Sequence, residues 1–356
     1  MRDPATARVN KLRDANIQSI TTLDPPAEYW RKYPSSPAME AQVADARAQV
    51  ARIITGRDER MLFIVGPCSI HDTKAGMEYT TRLKRLADQV SDRILIVMRV
   101  YFEKPRTTVG WKGFINDPNL NGTYDVATGL AKAREFLIDV GKIGMPVATE
   151  WLDPFTPQYL GDLVAWGAIG ARTTESQTHR LVASGLSMPI GFKNGTGGSV
   201  QIALDGIIAA KSEHVFLGID ERGAASIVKT NGNPAVHLIL RGGKTGPNYD
   251  AESVAKAKRL LVECGLEPFL VLDCSHANSG KDHRMQSVVF RDVLQQRVGG
   301  NPGVVGLMLE SHLNEGSQSL GEDPSTLKPG VSITDACVGW EETEELVQEA
   351  FGLLAR

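Results

Sequence analysis

The sequence predicts an α/β protein built on a (β/α)8 barrel of the TIM type, with an N-terminal extension and a β-hairpin inserted before the sixth strand. Eight short apolar runs alternate with amphipathic helical stretches along the chain. Continuous apolar strands that alternate with helices are typical of a parallel sheet covered on both faces. Eight such units in about 295 residues fit the usual size of this barrel. An open, doubly wound sheet is the structural alternative, although it normally needs fewer strands.

The eight predicted strands are the apolar runs at 61–65, 94–102, 145–149, 168–171, 189–192, 237–240, 269–272 and 303–309. Two of the intervening helices carry boundary signals. Thr156 followed by Pro157 is typical of an N-cap with proline at the first helical position. Asp250 is a suitable N-cap for a helix over 251–264, which Gly265 would end.

Two segments do not belong to the plain barrel. We expect residues 1–55 to form an N-terminal extension that makes oligomer or regulatory contacts, with helical patterns at 7–20 and 38–54. Residues 56–356 are then the catalytic barrel. Within the barrel, two β-like runs flank the sequence DERG, which indicates an inserted regulatory hairpin at about 212–231.

Composition narrows the class of protein and its location. The formal net charge of −3 argues against nucleic-acid binding, which normally needs a basic surface. We expect no membrane partner, because no apolar run approaches the ~18 residues of a membrane helix, and the N-terminus lacks the apolar stretch of a signal peptide. The cysteines form no C-x-x-C pair and no dense disulfide pattern, which is typical of a reducing compartment. We therefore expect a cytoplasmic protein.

Titratable side chains follow every predicted strand. In a barrel of this type the active site forms at the C-terminal ends of the strands. A single charged residue at the end of a strand is usually a solvated surface group. Solvation alone does not readily explain a titratable side chain after every one of the eight strands. In chain order the set is Cys68, Arg99, Glu150, Arg172, Lys193, Arg241, Asp273 with His276, and Glu310 with His312.

Six of the groups at this end of the predicted barrel are cations. Guanidinium groups match phosphate and carboxylate oxygens with a forked pair of donors, and lysine adds a point charge. Such a cluster in a net-acidic protein predicts a small polyanionic ligand, with more than one phosphate or with a phosphate and a carboxylate. The cations are Arg99, Lys104, Arg106, Arg172, Lys193 and Arg241.

Cys68, in the stretch IVGPCSIHD, has three possible roles: a buried filler, a nucleophile or a metal ligand. A thiol nucleophile needs a histidine base and an oxyanion hole. Together with His276, Glu310 and Asp335, Cys68 would form a set of thiolate, imidazole and carboxylates. That set suits a borderline divalent transition metal better than magnesium. Spacing alone does not decide which of the three roles Cys68 has.

Motifs between residues 64 and 341 resemble those of the type I 3-deoxy-D-arabino-heptulosonate 7-phosphate (DAHP) synthases. They are long, and they occur in the same order as in that family. The motifs are GPCSIHD, MRVYFEKPRTTVGWKG, GARTTESQ, GFKNGT, LRGGK, DCSHANSGK, ESHLNEG and SITDACVGWE.

The resemblance implies a (β/α)8 barrel that condenses phosphoenolpyruvate with erythrose 4-phosphate and water, which releases phosphate in the first step of the shikimate pathway. The metal ligands of the family fall on Cys68, His276, Glu310 and Asp335. Its phosphoenolpyruvate contacts fall on Arg99, Lys104, Glu150, Arg172, Lys193 and Arg241. Its erythrose 4-phosphate contacts fall chiefly on Arg106 and Thr107.

The catalytic residues implied are Lys104, Glu150, His276 and Asp335. We expect Lys104 to protonate the nascent alkoxide. The sequence leaves open whether metal-bound water or a carboxylate such as Glu150 activates the attacking water. It also leaves open whether manganese, iron, cobalt or zinc is the divalent ion. Cys337 lies close to Asp335 in sequence, and we expect it to form a disulfide with Cys68 when the metal is absent; a packed thiol is the alternative.

Family members of this length are feedback-inhibited by an aromatic amino acid, and the resemblance also implies a homodimer or homotetramer. The effector positions fall on Asp153, Pro157, Gln158, Ser187, Phe216, Gly218 and Val228. Phenylalanine-sensitive members tend to carry serine at the position of Gly218, so the glycine favours tyrosine as the effector. A hairpin residue that needs backbone freedom is the alternative explanation for this glycine.

Other functions remain as alternatives at this point. The closest is 3-deoxy-D-manno-octulosonate 8-phosphate synthase, which uses arabinose 5-phosphate. A metal-dependent sugar-phosphate aldolase and a Schiff-base aldolase with Lys193 as nucleophile are also open. A non-catalytic effector-binding protein belongs to a different class, and the complete sets of cations and metal ligands argue against it.

Overall fold

Eight parallel strands close into a barrel in the computed structural model, which describes residues 14–321 and 323–354. The strand order around the barrel is β1-β2-β3-β4-β5-β8-β9-β10, and β10 pairs back with β1. The predicted fold class is therefore confirmed. The barrel strands are β1 Met61–Gly66, β2 Ile94–Arg99, β3 Val147–Glu150, β4 Trp166–Ile169, β5 Ile190–Lys193, β8 Val236–Leu240, β9 Leu270–Asp273 and β10 Val304–Glu310.

Helices connect successive strands and cover the outside of the barrel. They are α3 Thr73–Val90, α4 Val126–Lys142, α5 Thr156–Leu160, α6 Gln177–Gly185, α7 Gln201–Lys211, α8 Ala251–Glu263, α9 Gln286–Val298 and α10 Trp340–Leu353. Every residue of β1 and β10 is buried, as expected for strands with helices outside and packed side chains inside. Of the helices in the described part of the chain, none combines the length and the apolar character needed to cross a bilayer.

Two helices precede the barrel, α1 Pro26–Lys32 and α2 Pro37–Ile54. Val50, Ile53 and Ile54 of α2 belong to the cluster of apolar side chains that fills the barrel interior. Because α2 leads directly into the start of β1, these side chains close the amino-terminal end of the barrel. The carboxyl-terminal ends of the parallel strands lie at the opposite end of the barrel.

Arg134 of α4 fixes the N-terminal segment to the barrel. Its Nη1 and Nη2 each donate to one carboxylate oxygen of Asp162 at 2.8 Å. Its Nε donates to the carbonyl oxygen of Tyr33, just after α1, at 2.9 Å. Arg134 is only 1% exposed, and a bidentate arrangement of this kind holds both partners in a fixed geometry.

The hairpin lies outside the barrel between α7 and β8. It consists of the antiparallel strands β6 His214–Ile219 and β7 Ala225–Thr230, joined through Asp220–Gly223. Gly223 has φ +72°, a conformation that a glycine adopts without strain. The hairpin occupies the stretch where the sequence indicates an insertion. Its regulatory role and that of residues 1–55 remain predictions.

Three details differ from the sequence-based expectation. Residues 7–13 of the predicted helix 7–20 lie outside the described residues, and residues 14–20 form no helix. The second strand ends at Arg99 rather than at residue 102, because the carbonyl oxygen of Tyr101 accepts from Ile70 in a loop instead of from a neighbouring strand. Burial of residues 100–102, rather than strand pairing, explains why that run is apolar.

The third difference concerns the start of α5. Thr156 is the first helical residue and Phe155 occupies the N-cap position, so Thr156 is not the N-cap. The side chain of Asp153 accepts from the amide of Phe155 at 2.8 Å and begins the turn one residue earlier. Asp250 does cap α8, with its carboxylate accepting from Ser253, and Gly265 follows with φ +70°.

Candidate active site

The predicted site residues lie at the carboxyl ends of the barrel strands. Arg99, Glu150, Lys193 and Glu310 are each the last residue of a strand, and Cys68 follows β1 after one proline. All five are buried. Because the strands are parallel, these side chains meet at one end of the barrel, opposite α2.

Three of the four predicted metal ligands converge. One ligand atom from each of Cys68, Glu310 and Asp335 lies within 4.8 Å of the other two. Cys68 and Glu310 are buried, whereas Asp335 is exposed. A thiolate and two carboxylates at this separation fit a borderline divalent cation. The donor set in the structure therefore agrees with the metal that the family resemblance implies.

His276 lies beside this group. Its Nε2 is 4.0 Å from Glu310 Oε1. On the other side of the ring, Nδ1 is 2.6 Å from Ser275 Oγ and 3.0 Å from Asp273 Oδ2. A partner at Nδ1 sets the ring orientation and leaves Nε2 free to face a metal. The backbone of His276 has φ +60°, which is uncommon for a residue with a side chain and is often found at functional positions.

Lys104 reaches the same group from the loop after β2. Its Nζ donates to Cys68 Sγ and to the carbonyl oxygen of Cys68, each at 3.1 Å. Burial raises the pKa of the Cys68 thiol to about 11, and the charges of Glu310 and Asp335 add to the increase. Burial opposes the charge of Lys104, yet Cys68, Glu310 and Asp335 together raise the pKa of its ammonium above the usual value.

Arg99 is fully buried next to the same carboxylate. Its Nη2 donates to Glu310 Oε1 at 3.0 Å. Its guanidinium carbon lies 4.0 Å from the centre of the Tyr101 ring, a cation–π distance. Nη1 of Arg99 and the hydroxyl of Tyr101 are buried without a hydrogen-bond partner. An unsatisfied buried guanidinium nitrogen is costly in the free protein, and an anionic ligand would satisfy it.

Asp273 joins two of the predicted site residues. Its Oδ2 accepts from Lys193 Nζ at 2.9 Å and lies 3.0 Å from His276 Nδ1. Its Oδ1 accepts from the amide of Ser275 at 3.0 Å and from the Ser275 hydroxyl at 2.6 Å. Burial opposes ionisation of Asp273, but Lys193 and His276 hold its pKa well below the usual range. The carboxylate is therefore ionised and accepts on both oxygens.

Glu150 extends into the site from the end of β3. Its Oε1 is buried and has no hydrogen-bond partner. Gly170, just after β4, permits this orientation, because a Cβ at that position would collide with Glu150 Oε1. A carboxylate oxygen held in this way can accept a proton or a hydrogen bond from a ligand.

The remaining predicted cations lie further out. Arg172 is exposed and Arg241 is half-buried. Burial lowers the pKa of Arg241, and the nearby charge of Arg172 adds to the decrease, which indicates that the two guanidinium groups are close. Arg106 and Thr107 are exposed in the loop after β2, where Arg106 Nε donates to the carbonyl oxygen of Trp111 at 2.9 Å.

A protein-family model described as the DAHP synthetase I family matches residues 37–348. The chain belongs to the DAHP synthetase I family. This match covers all eight barrel strands, begins at the first residue of α2 and ends within α10.

Similar proteins support the membership. The Tyr-sensitive phospho-2-dehydro-3-deoxyheptonate aldolase of Escherichia coli strain K12 is 52% identical over 338 residues, which is 95% of each chain. The Trp-sensitive protein of that name from the same strain is 51% identical over 343 residues, which is 96% of this chain and 97% of the relative. The structure of a phospho-2-dehydro-3-deoxyheptonate aldolase from Francisella tularensis SCHU S4 has a TM-score of 0.93 and 44% identity, and the match covers 96% of this chain and 99% of that one.

The effector positions predicted for this DAHP synthetase I family chain are distributed over the hairpin and the nearby helices. Phe216 pairs with Val228 in the hairpin, and Gly218 lies on the same face as Phe216 because alternate residues of a strand share a face. A Cβ at Gly218 would lie 2.8 Å from Val228 Cγ2, so any larger residue there must displace that methyl group. In α5, Pro157 is buried and Gln158 is exposed.

Three of these effector positions line cavities in the part of the chain that the structure describes, and they divide between two cavities. Ser187 and Val228 line a cavity of about 540 Å³ bordered by α2. Asp153 lines a different cavity of about 490 Å³.

Sequence reasoning assigned no role to two residues of the site. Asp273 was noted only as a titratable strand end, yet it contacts both Lys193 and His276. Tyr101 stacks on Arg99. The spacing of Arg99 and Tyr101 could have indicated this contact, because residues i and i+2 of an extended chain point to the same side.

Proposed function

We propose that this chain is a DAHP synthase, which condenses phosphoenolpyruvate with erythrose 4-phosphate and water to give DAHP and phosphate. The observation that carries the proposal is the convergence of Cys68, Glu310 and Asp335 next to the buried cations Arg99 and Lys104. The identity to curated phospho-2-dehydro-3-deoxyheptonate aldolases over nearly the full chain supports it, and it does not favour the octulosonate synthase or a simple aldolase.

The metal ligands are Cys68, His276, Glu310 and Asp335. The chemistry of these donors suits manganese, iron, cobalt or zinc. When bound, such an ion acts as a Lewis acid that polarises the aldehyde of erythrose 4-phosphate. Burial holds the proton on Cys68 in the free protein, since the pKa of its thiol is raised to about 11. Metal binding therefore requires release of that proton.

Phosphoenolpyruvate lies among the cations at the strand ends in this proposal. Arg99, Lys193, Arg172, Arg241 and Lys104 neutralise its phosphate and carboxylate. The unpartnered Nη1 of Arg99 supports a ligand contact there. Phosphoenolpyruvate, with a phosphate and a carboxylate, and erythrose 4-phosphate, with a phosphate, repel each other in one pocket, so the same cations must offset both sets of charges. Holding both substrates in place also makes a bimolecular step effectively unimolecular, which is worth up to ~7–11 kcal/mol in ideal systems.

Arg106 and Thr107 bind the phosphate of erythrose 4-phosphate. Both are exposed on the loop after β2, and the contact of Arg106 Nε with Trp111 leaves the terminal nitrogens of its guanidinium available. Because Lys104 lies two residues before Arg106, one loop positions the aldose phosphate and delivers the acid.

The chemical steps assign protons to named atoms. C3 of phosphoenolpyruvate attacks the aldehyde carbon, and Lys104 Nζ protonates the alkoxide that forms. Water adds at C2 of the former phosphoenolpyruvate, and Glu150 Oε1 takes the proton from that water. The C2–O bond to phosphate then breaks, the C2 hydroxyl gives its proton to the departing phosphate, and C2 becomes the ketone carbon of DAHP. The buried, unpartnered state of Glu150 Oε1 supports its role as the base.

In this proposal, the protein is cytoplasmic and forms a homodimer or a homotetramer. Tyrosine inhibits it. The Tyr-sensitive relative and the Trp-sensitive relative have about the same sequence identity to this chain. The support for tyrosine is Gly218, at the position where phenylalanine-sensitive members tend to carry serine; a Cβ there would lie 2.8 Å from Val228 Cγ2 and would have to displace that methyl group. The effector contacts are Asp153, Pro157, Gln158, Ser187, Phe216, Gly218 and Val228.

One assay tests the reaction. Phosphate release and the consumption of phosphoenolpyruvate are measured with erythrose 4-phosphate and with arabinose 5-phosphate, each with Mn²⁺, Fe²⁺, Co²⁺ or Zn²⁺. We expect turnover with erythrose 4-phosphate and at least one metal. Preference for arabinose 5-phosphate would support the octulosonate synthase, trapping of substrate on Lys193 by borohydride would support a Schiff-base aldolase, and no turnover with any metal would support a non-catalytic protein.

The same assay identifies the effector. Tyrosine, phenylalanine and tryptophan are added separately at saturating substrate and at substrate near KM. We expect tyrosine to inhibit most strongly. Inhibition by phenylalanine or tryptophan alone would contradict the assignment based on Gly218. Size-exclusion chromatography with light scattering measures the oligomeric state, and a monomer would contradict the proposed assembly.

A further inference from the structure

The last strand of the barrel carries a proposed metal ligand at a point where the neighbouring strand has already ended. β9 ends at Asp273, and its pairing with β10 stops at Met308. The amide of Cys274 still donates to the carbonyl oxygen of Met308 at 2.9 Å. Alternate residues of a parallel strand bond to the same neighbour, so the N–H and C=O of Glu310 also point to the side of β9, where the strand no longer continues.

The side chain of Gln286 takes the place of the missing strand. Its Oε1 accepts from the amide of Glu310 at 2.9 Å, and its Nε2 donates to the carbonyl oxygen of Glu310 at 3.1 Å. A side-chain amide offers the same kinds of donor and acceptor as a peptide group, so Gln286 continues the ladder by one residue. Both bonds lie in the protein interior, because Gln286 and Glu310 are each 1% exposed.

Helix α9 fixes the position of this amide. Gln286 is the first residue of α9. Phe290 lies one turn further along the same face of the helix and is fully buried. Its ring meets the ring of Phe63 in β1 edge-on, with 5.5 Å between the ring centres. Because α9 packs on the barrel through this face, the side chain of Gln286 extends to β10 from a fixed backbone.

The peptide of Glu310 also joins the segment that carries another proposed ligand, Asp335. The amide of Val338 donates to the carbonyl oxygen of Glu310 at 3.0 Å, and the carbonyl oxygen of Val338 accepts from the amide of His312 at 2.9 Å. A carbonyl oxygen has two lone pairs, so Gln286 and Val338 both bond to that of Glu310. The amide N–H of Glu310, in contrast, depends on Gln286.

We propose that Gln286 is a positioning residue for the metal ligand Glu310. The side chain of Glu310 extends toward Cys68 and Asp335, and the peptide that Gln286 holds sets the direction in which it leaves the strand. An apolar residue at position 286 would leave a buried N–H without a partner, which is costly, and the end of β10 would shift to satisfy it. This inference rests on the proposed metal site.

Cobalt binding to the full chain tests this role. The dissociation constant for Co²⁺ is measured by titration calorimetry after dialysis against a chelator. Gln286→Met keeps the length of the side chain and removes its amide. We expect it to bind Co²⁺ ~10–100-fold more weakly than the parent chain, the usual cost of losing a group that orients a metal ligand. At saturating Co²⁺ the charge-transfer band between the Cys68 sulfur and cobalt should persist, because only Glu310 is misplaced.

Asn233→Leu is the matched control. Asn233 is a second buried side-chain amide that bonds to backbone groups. Its Nδ2 donates to three carbonyl oxygens, and its Oδ1 accepts from the amide of Ala235. It lies just before β8, at the amino end of the barrel. This variant should lose thermal stability but keep the Co²⁺ affinity of the parent chain, which separates a general loss of stability from a loss of metal affinity.

Gln286→Asn keeps the amide on a side chain that is one carbon shorter, and it provides the same comparison if Gln286→Met does not fold. Parent-like Co²⁺ affinity in the Gln286 variants, or an equal loss of affinity in Asn233→Leu, would overturn the inference while the metal site stands. Loss of the Cys68 band would also overturn it, because Gln286 would then support the whole site rather than Glu310. A parent chain that binds no Co²⁺ would refute the metal site itself, and the inference with it.

Discussion

Lys104 Nζ contacts Cys68 Sγ at 3.1 Å, which connects the candidate proton donor directly to a candidate metal ligand. Both residues are buried. The environment raises the pKa of the thiol and that of the ammonium, so both groups keep their protons in the free protein. A charged ammonium next to the site at which an alkoxide would form is suited to general acid catalysis.

We expect Lys104→Ala to lower kcat by ~10²–10⁴-fold, the usual range for loss of a general acid, while metal binding is retained. Turnover is measured by phosphate release, and bound metal by elemental analysis of the dialysed protein. Lys112→Ala is the matched control, since Lys112 is an exposed lysine of the same loop, and should retain activity. Near-normal turnover of Lys104→Ala would refute the role of this residue.

Cys68 and Cys264 provide a matched pair for the metal site. Cys68 lies with Glu310 and Asp335, whereas Cys264 is the C-cap residue of α8. We expect Cys68→Ser to weaken divalent metal binding by at least ~10-fold, because serine replaces a soft thiolate by a hard, protonated oxygen. Cys264→Ser should bind metal as the parent chain does.

Cobalt provides a second readout of the thiolate ligand. The Co²⁺-loaded parent chain should show a sulfur-to-cobalt charge-transfer band in the near ultraviolet, and Cys68→Ser should lack it. An unchanged band in Cys68→Ser would show that Cys68 is not a ligand.

Asp273 should affect substrate binding and metal binding together. Its Oδ2 contacts both Lys193 and His276. We expect Asp273→Asn to raise the KM for phosphoenolpyruvate and to weaken metal binding ~10–100-fold, the usual cost of losing a partner of a metal-ligating histidine. Asp282→Asn, at a half-buried aspartate paired with Arg284, is the control. A loss of thermal stability alone, with KM and metal affinity unchanged, would mean that Asp273 only supports the fold.

There is a physical reason why the sequence was sufficient to predict the barrel and the titratable side chains at the ends of its strands. Each buried parallel strand must be a short apolar run, and the side chain after each run must face the same end. Runs such as 61–65 and 303–309 therefore match β1 and β10 to within one residue. The sequence patterns do not predict the helix α1, although Pro26 is compatible with the first turn of a helix.

The details of the site were less predictable because they depend on contacts between distant segments. The bonds of Asp273 to Lys193 and His276 depend on side-chain orientations that no spacing rule specifies. The hydrogen bond from the amide of Ala27 to the carbonyl oxygen of Glu221 joins the N-terminal segment to the hairpin turn, and no spacing rule predicts a contact between residues so far apart in sequence. The effector positions rest on the resemblance to a family pattern and remain predictions; Ser187 and Val228 line one cavity and Asp153 lines another.

Cys68 and Cys337 should form a disulfide when the metal-free protein is oxidised. Both are buried free thiols, and the pKa of Cys337 is raised by burial and by the proximity of Cys68. With hydrogen peroxide, two thiols and one peroxide give one disulfide and two waters. We expect loss of activity in the metal-free protein, reversal by dithiothreitol, and protection by bound metal.

Peptide mass spectrometry under non-reducing conditions identifies the bond. The Cys337→Ser variant should resist inactivation by this route and provides the control. If the parent protein is inactivated while both thiols remain free, the disulfide between Cys68 and Cys337 is not the cause of the inactivation.

His237 should make the stability of the barrel depend on pH. It is 4% exposed in β8, and its Nε2 lies 3.3 Å from Trp166 Nε1, which donates to it. Burial lowers the pKa of His237 to about 3, whereas an unfolded histidine titrates near pH ~6.5. Between these values the unfolded state binds more protons, so the free energy of unfolding falls as the pH falls.

We expect the contribution of His237 to be fully present above pH ~6.5 and to decrease by ~1.4 kcal/mol for each pH unit below it, down to the folded-state pKa. His237→Gln keeps a hydrogen-bond acceptor for Trp166 and removes the titration. Urea unfolding of both proteins between pH 4.5 and 7.5 measures the effect as a difference, which cancels the other titrating groups. If the parent chain and His237→Gln lose the same amount of stability as the pH falls, the buried neutral imidazole of His237 does not cause the pH dependence.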